Sequence, residues 1–289
     1  MTSLNDAHLG STSIFLQSDK ASTSISDAHK QFNLKNIIEV PPNINIMIGL
    51  ESFECPFSFY NVNQFNNHFE ISANGNSVNF NLVSKNYTAI ELATQITGEL
   101  AVSSRVTSLG QTITCTFNDQ TNKFLFSSNA NSTQYTITDR TTMSKLLGLN
   151  LPSSSGLGLL ISNNLCNLSG TPCIYFQVRN LGISNLDSRG ALSGVIGKIN
   201  INCNFAEFIF YEQKESIYYN ITNRSISSLD VLLTDSDNNE IQLNGTTFSC
   251  TLNVHFSRIK ENIIPEKYLL QLLKEKKKNN ENDELDDKN

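Results

Sequence analysis

The segment Asp235-Ser236-Asp237-Asn238-Asn239 is the nearest approach to a metal motif in this chain. Its carboxylate and carboxamide oxygens match the opening of a calcium loop, D-x-D-x-N, which supplies hard oxygen ligands. Glu240 then stands where the sharp turn needs Gly, and Thr246 where a closing Glu would complete the cage. A hairpin turn accounts for these residues better. The four His, at positions 8, 29, 68 and 255, are not grouped with Cys, Asp or Glu at metal-ligand spacing. His255, between Val254 and Phe256, is expected on the polar face of a strand. Glu212 and Glu215 are a pair of carboxylates of the kind used in acid–base catalysis. With Lys214 they fall in a polar break between strands, which reads as a solvated turn. Gly156-Leu157-Gly158 is a fragment of a glycine-rich loop and reads as a turn. No G-x-S-x-G, P-loop or G-x-G-x-x-G is present. No catalytic, cofactor-binding or metal-binding residue is therefore assigned, no cofactor is expected, and the expectation is a protein that is not an enzyme.

The six cysteines, at 55, 115, 166, 173, 203 and 250, include no C-x-x-C pair. Cys115, Cys203 and Cys250 sit among alternating apolar residues, where a thiol acts as a small hydrophobe. Free, buried thiols are expected. Met1 to Lys20 has no basic patch followed by an apolar run, so a secretory signal is not expected. The sequons Asn86-Tyr87-Thr88 and Asn220-Ile221-Thr222 carry little weight without a secretory route. The net charge of −6 argues against a general nucleic-acid binder, and acidic neighbours offset the cluster Lys274 to Lys278. No run of 18 apolar residues exists, so no helical membrane span is expected.

The elements that position these residues are mostly strands. The 289 residues include 38 Asn and 34 Ser against only 17% charged residues, a composition rich in turn formers. Ile44, Ile46, Ile48 and Leu50 alternate strictly, as do Ile174, Phe176 and Val178, then Ile199, Ile201, Cys203 and Phe205. Phe248, Cys250, Leu252, Val254 and Phe256 form the cleanest alternation. Asn74-Gly75 between Phe69–Ile71 and Val78–Leu82 predicts a tight hairpin. Thr88 and Glu91 form a capping box ahead of a helix through Leu100. Ile113 to Phe126 predicts a second hairpin, and Gly148 ends a short helix. Eight or more strands separated by polar turns predict an all-β fold, an antiparallel sandwich or barrel. The expected organisation has five parts. Residues 1–33 are a flexible arm, and 34–85 with 151–260 form the β-sandwich. Residues 86–150 are a small helix–hairpin–helix, α+β insertion. Residues 261–289 hold an amphipathic stretch, Tyr268, Leu269, Leu272 and Leu273, followed by a disordered charged tail.

Several segments in order resemble the penton (minor capsid) proteins of virophages and polinton-like viruses. They are Val40-Pro41-Pro42 and Pro56-Phe57-Ser58-Phe59-Tyr60-Asn61-Val62-Asn63 with Asn66-Asn67, then Asn86-Tyr87-Thr88 and Thr121-Asn122-Lys123-Phe124. Thr142 to Leu149 follows, and last come Leu229-Asp230-Val231, Asp235, Leu243-Asn244-Gly245 and Phe248-Ser249. The resemblance covers roughly residues 35–257. It implies a single jelly roll of eight strands in a structural capsid protein. It further implies homopentamers at icosahedral vertices, an outward insertion, a double-jelly-roll major capsid protein as neighbour, and a place in the virion. It carries no catalytic residues. The alternatives are a jelly-roll recognition or attachment module, for carbohydrate or a receptor, and another minor capsid or cement protein.

Overall fold

In the strand Ser249–Arg258, Cys250, Leu252 and Val254 turn inward and Thr251 and Asn253 outward, as the alternation requires. The computed structural model describes residues 8–130, 134–183, 185–186, 192–214 and 217–258. Within it, Ser249–Arg258 is flanked on both sides by antiparallel partners, His8–Gln17 and Ile44–Pro56. The strand Phe208–Glu212 completes the sheet beyond Ile44–Pro56. The facing sheet runs in the order Val195–Asn200, Cys173–Val178, Ser225–Thr234, His29–Glu39.

Numbered along the chain, these eight long strands give one sheet in the order one, eight, three, six and another in the order two, seven, four, five. All neighbours are antiparallel. That order is a jelly roll, an all-β sandwich in which successive strands cross between sheets at every step except the antiparallel pair four and five. Short strands Thr23–Ser24 and Tyr219–Asn220 add to one edge of each sheet. Ile46, Ile48, Leu50 and Phe53 face Ile174, Phe176, Ile226, Leu229, Val231 and Leu233 across a single buried core. Phe53 stacks on Phe248 at 5.9 Å and meets Phe176 of the opposite sheet edge-on at 6.0 Å. Gly197 lets the sheets close, because a Cβ there would stand 2.5 Å from Leu50 Cδ2.

Between strands three and four the chain builds a second unit with its own core, from Val62 to Leu168. One of its sheets runs Ser153–Ser154, Tyr135–Ile137, His68–Ala73, Asn76–Asn81, and the other Leu159–Ile161, Lys123–Ser128, Ile113–Asn118. Helix Ala89–Leu100 buries Leu92, Ala93, Ile96 and Leu100 against them. The capping box forms as expected: Thr88 Oγ1 accepts from Glu91 N–H while Thr88 N–H donates to the Glu91 carboxylate. Asn74 and Gly75, at φ 53° and 78°, make the tight hairpin turn, and Gly148, at φ 69°, ends helix Ser144–Leu147.

The domain boundaries differ from those expected. Residues 8–17 of the expected arm are strand one of the sandwich, and residues 29–33 begin strand two, His29–Glu39. Only Ile14 and Leu16 of the first strand pack in the core, and Gly10, Ser11, Thr12, Ser13 and Gln17 make up half of it, so its composition imitates a solvated tail. Strands 68–73 and 76–81, expected in the sandwich, belong to the insertion, where Phe69 stacks on Phe80 at 5.2 Å and Phe126 at 5.9 Å. The 153–154 and 159–161 strands also belong there. Alternation reports that one face is buried but not against which partner. The insertion therefore spans about 57–172 rather than 86–150. The amphipathic stretch and charged tail of 261–289 lie outside the described residues.

Candidate interaction surface

The carboxylate of Asp235 is consumed by its own turn. Its Oδ1 accepts from the backbone N–H of Asp237 at 2.9 Å and of Asn239 at 2.8 Å, and its Oδ2 from Asn239 Nδ2 at 3.1 Å. Asn238 adopts φ 64°, as a tight turn requires. Asp237 instead pairs with Lys145 of the insertion at 2.6 Å, an exposed contact of small energetic weight. Gly156-Leu157-Gly158 is a hairpin turn, with Leu157 at φ 49° and Gly158 at φ 76°. Glu212 is exposed on an edge strand, and Glu215 lies outside the described residues. Among the described residues, these candidates are not brought together. Among the described residues no group of three or more His, Cys, Asp or Glu is arranged to hold a metal ion. No helix among them is long and apolar enough to cross a membrane.

His255 lies on the outer face of its strand, as expected, but that face is covered. It is only 8% exposed, although it points outward from the sheet. The segment at Ile217–Tyr218 lies across this face, with the Tyr218 ring 5.1 Å from the imidazole. Gly49 allows the approach, since a Cβ there would meet Ile217 O at 2.6 Å. His29 Nε2 lies 2.7 Å from Asp230 Oδ1 on the outer side of the facing sheet. His68 Nδ1 lies 2.7 Å from Asn81 Oδ1. Each pair joins adjacent strands and is explained by cross-strand register.

The cysteines are free thiols, with Cys55, Cys115, Cys173 and Cys250 buried and Cys166 and Cys203 partly so. Burial, with the nearby Cys203 adding to it, pushes the Cys55 thiol up to about 12. Burial also raises Cys115 and Cys250. A thiol so disfavoured as thiolate is a poor nucleophile.

Two polar features were not visible in the sequence. Glu70 has a side chain only 7% exposed, accepts from Thr138 Oγ1 at 3.1 Å, and lies 3.8 Å from Arg140. It ties the His68–Ala73 strand to the 138–141 turn. Asn61 stitches the neck of the insertion: its Nδ2 donates to Tyr87 O at 2.9 Å and Leu168 O at 3.2 Å, and its Oδ1 accepts from Tyr87 N–H at 3.0 Å. Both depend on residues far apart in the chain.

What remains is surface. On the sheet formed by strands one, eight, three and six, the outward residues Phe15, Phe208 and Phe210 are 78%, 54% and 71% exposed. Cross-strand register aligns Phe15 with Thr251, Ser52 and Glu212 in one row, and Gln17 with Ser249, Glu54 and Phe210 in the next. Between the aromatic walls lies an open groove of about 430 Å³ with a floor of small polar side chains. Ser52 Oγ donates to Thr251 Oγ1 at 2.9 Å and Ser249 Oγ to Glu54 Oε1 at 2.5 Å, so the floor is internally bonded. Such a patch suits recognition of another polypeptide rather than bond-breaking chemistry.

The sandwich is also polar from end to end. His8, Ile44 and Arg258 gather at one pole, since His8 pairs with Ser257 and Ile44 with Arg258. The insertion leaves from the other, where Pro56 ends the third strand and Cys173 begins the fourth.

No protein-family model and no curated protein matches this chain. Among solved structures it is similar to the crystal structure of the selenomethionine-labelled mavirus penton protein, with 14% identity and a TM-score of 0.47, over 86% of this chain and 99% of that one. The fold assignment rests on the strand order given above.

Proposed function

We propose that this chain is a structural subunit of a viral capsid. Its role would be that of a penton: a homopentamer closing an icosahedral vertex beside a double-jelly-roll major capsid protein, hence a component of the virion. The observation that carries this reading is the polarity of the jelly roll. Both ends of the described chain lie at one pole, and a separately cored unit is inserted at the other. A subunit standing upright in a shell needs that arrangement: one pole for the inside, one for the outside, and two sheet-bearing flanks left for neighbours. Flank-to-flank contacts between unlike faces are heterologous and close into a ring. A surface rich in Asn, Ser and Thr supplies hydrogen bonds without burying unpaired charge. The sequence resemblance points the same way. The deciding measurement is molar mass by light scattering after size exclusion, with negative-stain imaging of the same fractions. A pentamer, or a monomer that becomes one on assembly, is expected. A stable dimer or trimer as the sole oligomer overturns the proposal.

A further inference from the structure

The aromatic groove on the outer face is open, and the chain itself carries a segment that fits it. We propose that residues 268–273 dock in cis into the groove between Phe15 and Phe210 of the same subunit. This goes beyond the capsid reading and does not depend on it.

Three observations support the assignment. The first is shape. Strands one and six stand three strand spacings apart, about 14 Å, which accommodates one α-helix of about 10–12 Å. Tyr268, Leu269, Leu272 and Leu273 fall at i, i+1, i+4 and i+5, so a helix would present all four on one face. Phe15 and the Phe208–Phe210 pair, whose rings stack at 5.9 Å, would cover that face from both sides.

The second is charge. Glu54 and Glu212 line the groove, and Asp19, paired with Lys20, lies on its extension beyond Gln17. Lys267 and Lys274 bracket the apolar stretch directly, and the acidic residues of 281–287 that offset the Lys274–Lys278 cluster lie beyond it. An acidic groove with aromatic walls and an apolar stretch bracketed by two Lys are complementary.

The third is reach. The described chain stops at Arg258, and the groove lies level with Thr251 on the same strand, seven residues back. At strand rise that is about 24 Å. The nine residues between Arg258 and Tyr268 span up to about 33 Å when extended. The segment can therefore turn back along its own flank without leaving the subunit.

The test is photo-crosslinking in the full chain, with a benzophenone amino acid at position 272 and adducts mapped by mass spectrometry. Adducts are expected on peptides containing Phe15 or Phe208–Glu212. Adducts confined to other surfaces would overturn the proposal. Phe210→Glu places a like-signed, hydrated group among Glu54 and Glu212 without touching the core, and should cut adduct yield about tenfold, the equivalent of about 1.4 kcal/mol. Phe210→Leu should retain most of it. Unchanged yield in Phe210→Glu, with an unchanged circular dichroism spectrum, would also sink the idea. Repeating the reaction in a mixture of ¹⁵N-labelled and unlabelled protein separates cis from trans. Adducts of one isotopic composition support docking within a subunit. Mixed adducts assign the groove to a neighbouring copy's segment and refute the cis proposal.

Discussion

Leu16 is the residue on which the placement of the first strand turns. It is 5% exposed and packs into the sandwich core, whereas Ser13 on the same strand is exposed. If residues 8–17 are a strand, Leu16→Ala removes a buried isobutyl group and leaves a void near the sheet edge. Large-to-small core changes of this kind cost about 2–5 kcal/mol, and an edge site that can partly collapse falls near 2–3. With a urea dependence of about 2.5 kcal/mol per molar, the sandwich midpoint should fall by about 1 M. Ser13→Ala should stay within about 0.5 kcal/mol of the parent. The chain has no Trp, but its thiols are positioned reporters. Cys55 and Cys250 are buried in the sandwich core and Cys115 in the insertion core. Pulsed thiol labelling across a urea series, read by mass spectrometry, follows each core separately. Leu16→Ala should shift the Cys55 and Cys250 transitions by about 1 M and spare that of Cys115. If both variants leave the Cys55 and Cys250 midpoints where they were, residues 8–17 are not part of the sandwich and the strand order argued above fails.

Replacing residues 61–169 by a short Gly/Ser linker should leave a soluble sandwich with Cys55 and Cys250 protected, because the neck is narrow: a Cβ on Gly170 would lie 3.6 Å from Asn61 Cα. Excising only 86–150 should yield insoluble protein, since it strips Phe69, Ile71, Val78 and Phe80 of their partners; solubility on expression decides both. Cys55, raised from 9.0 to about 12 in the fold, favours the neutral thiol there. Its contribution to stability is complete below pH 9 and is lost as pH rises through 12. Urea midpoints at pH 8.5 and 10.5 should therefore separate less in Cys55→Ala than in the parent, and an equal separation would contradict the assignment. Asn61→Asp exchanges the two Nδ2 donors for an acceptor facing the Tyr87 and Leu168 carbonyls. The expected loss is about 1–3 kcal/mol, read as earlier labelling of Cys115 in urea.

Local signals in the sequence were those that depend on near neighbours. The Thr88/Glu91 capping box, the Asn74-Gly75 turn, the Gly148 helix stop and the inward faces at 44–50 and 249–256 each need only a few adjacent residues, and each is present as expected. Their number and polar spacing were enough to establish antiparallel β architecture, because few other folds use short alternating segments in such density.

Tertiary structure alone decided what those faces meet. The hairpin 68–81 alternates as a sandwich strand would, yet it packs into the insertion core, with Phe69 stacked on Phe126, because alternation encodes a buried side and not a partner. The first strand was hidden for the opposite reason: an edge strand with two core-facing side chains carries too little apolar signal to stand out from a Ser/Thr tail. The burial of His255 was hidden because Tyr218, 37 positions away in the chain, covers the outer face on which it lies. The groove between Phe15 and Phe210 exists only because strands one, eight, three and six stand side by side, an order set by core packing and crossover connections that no local window of sequence contains.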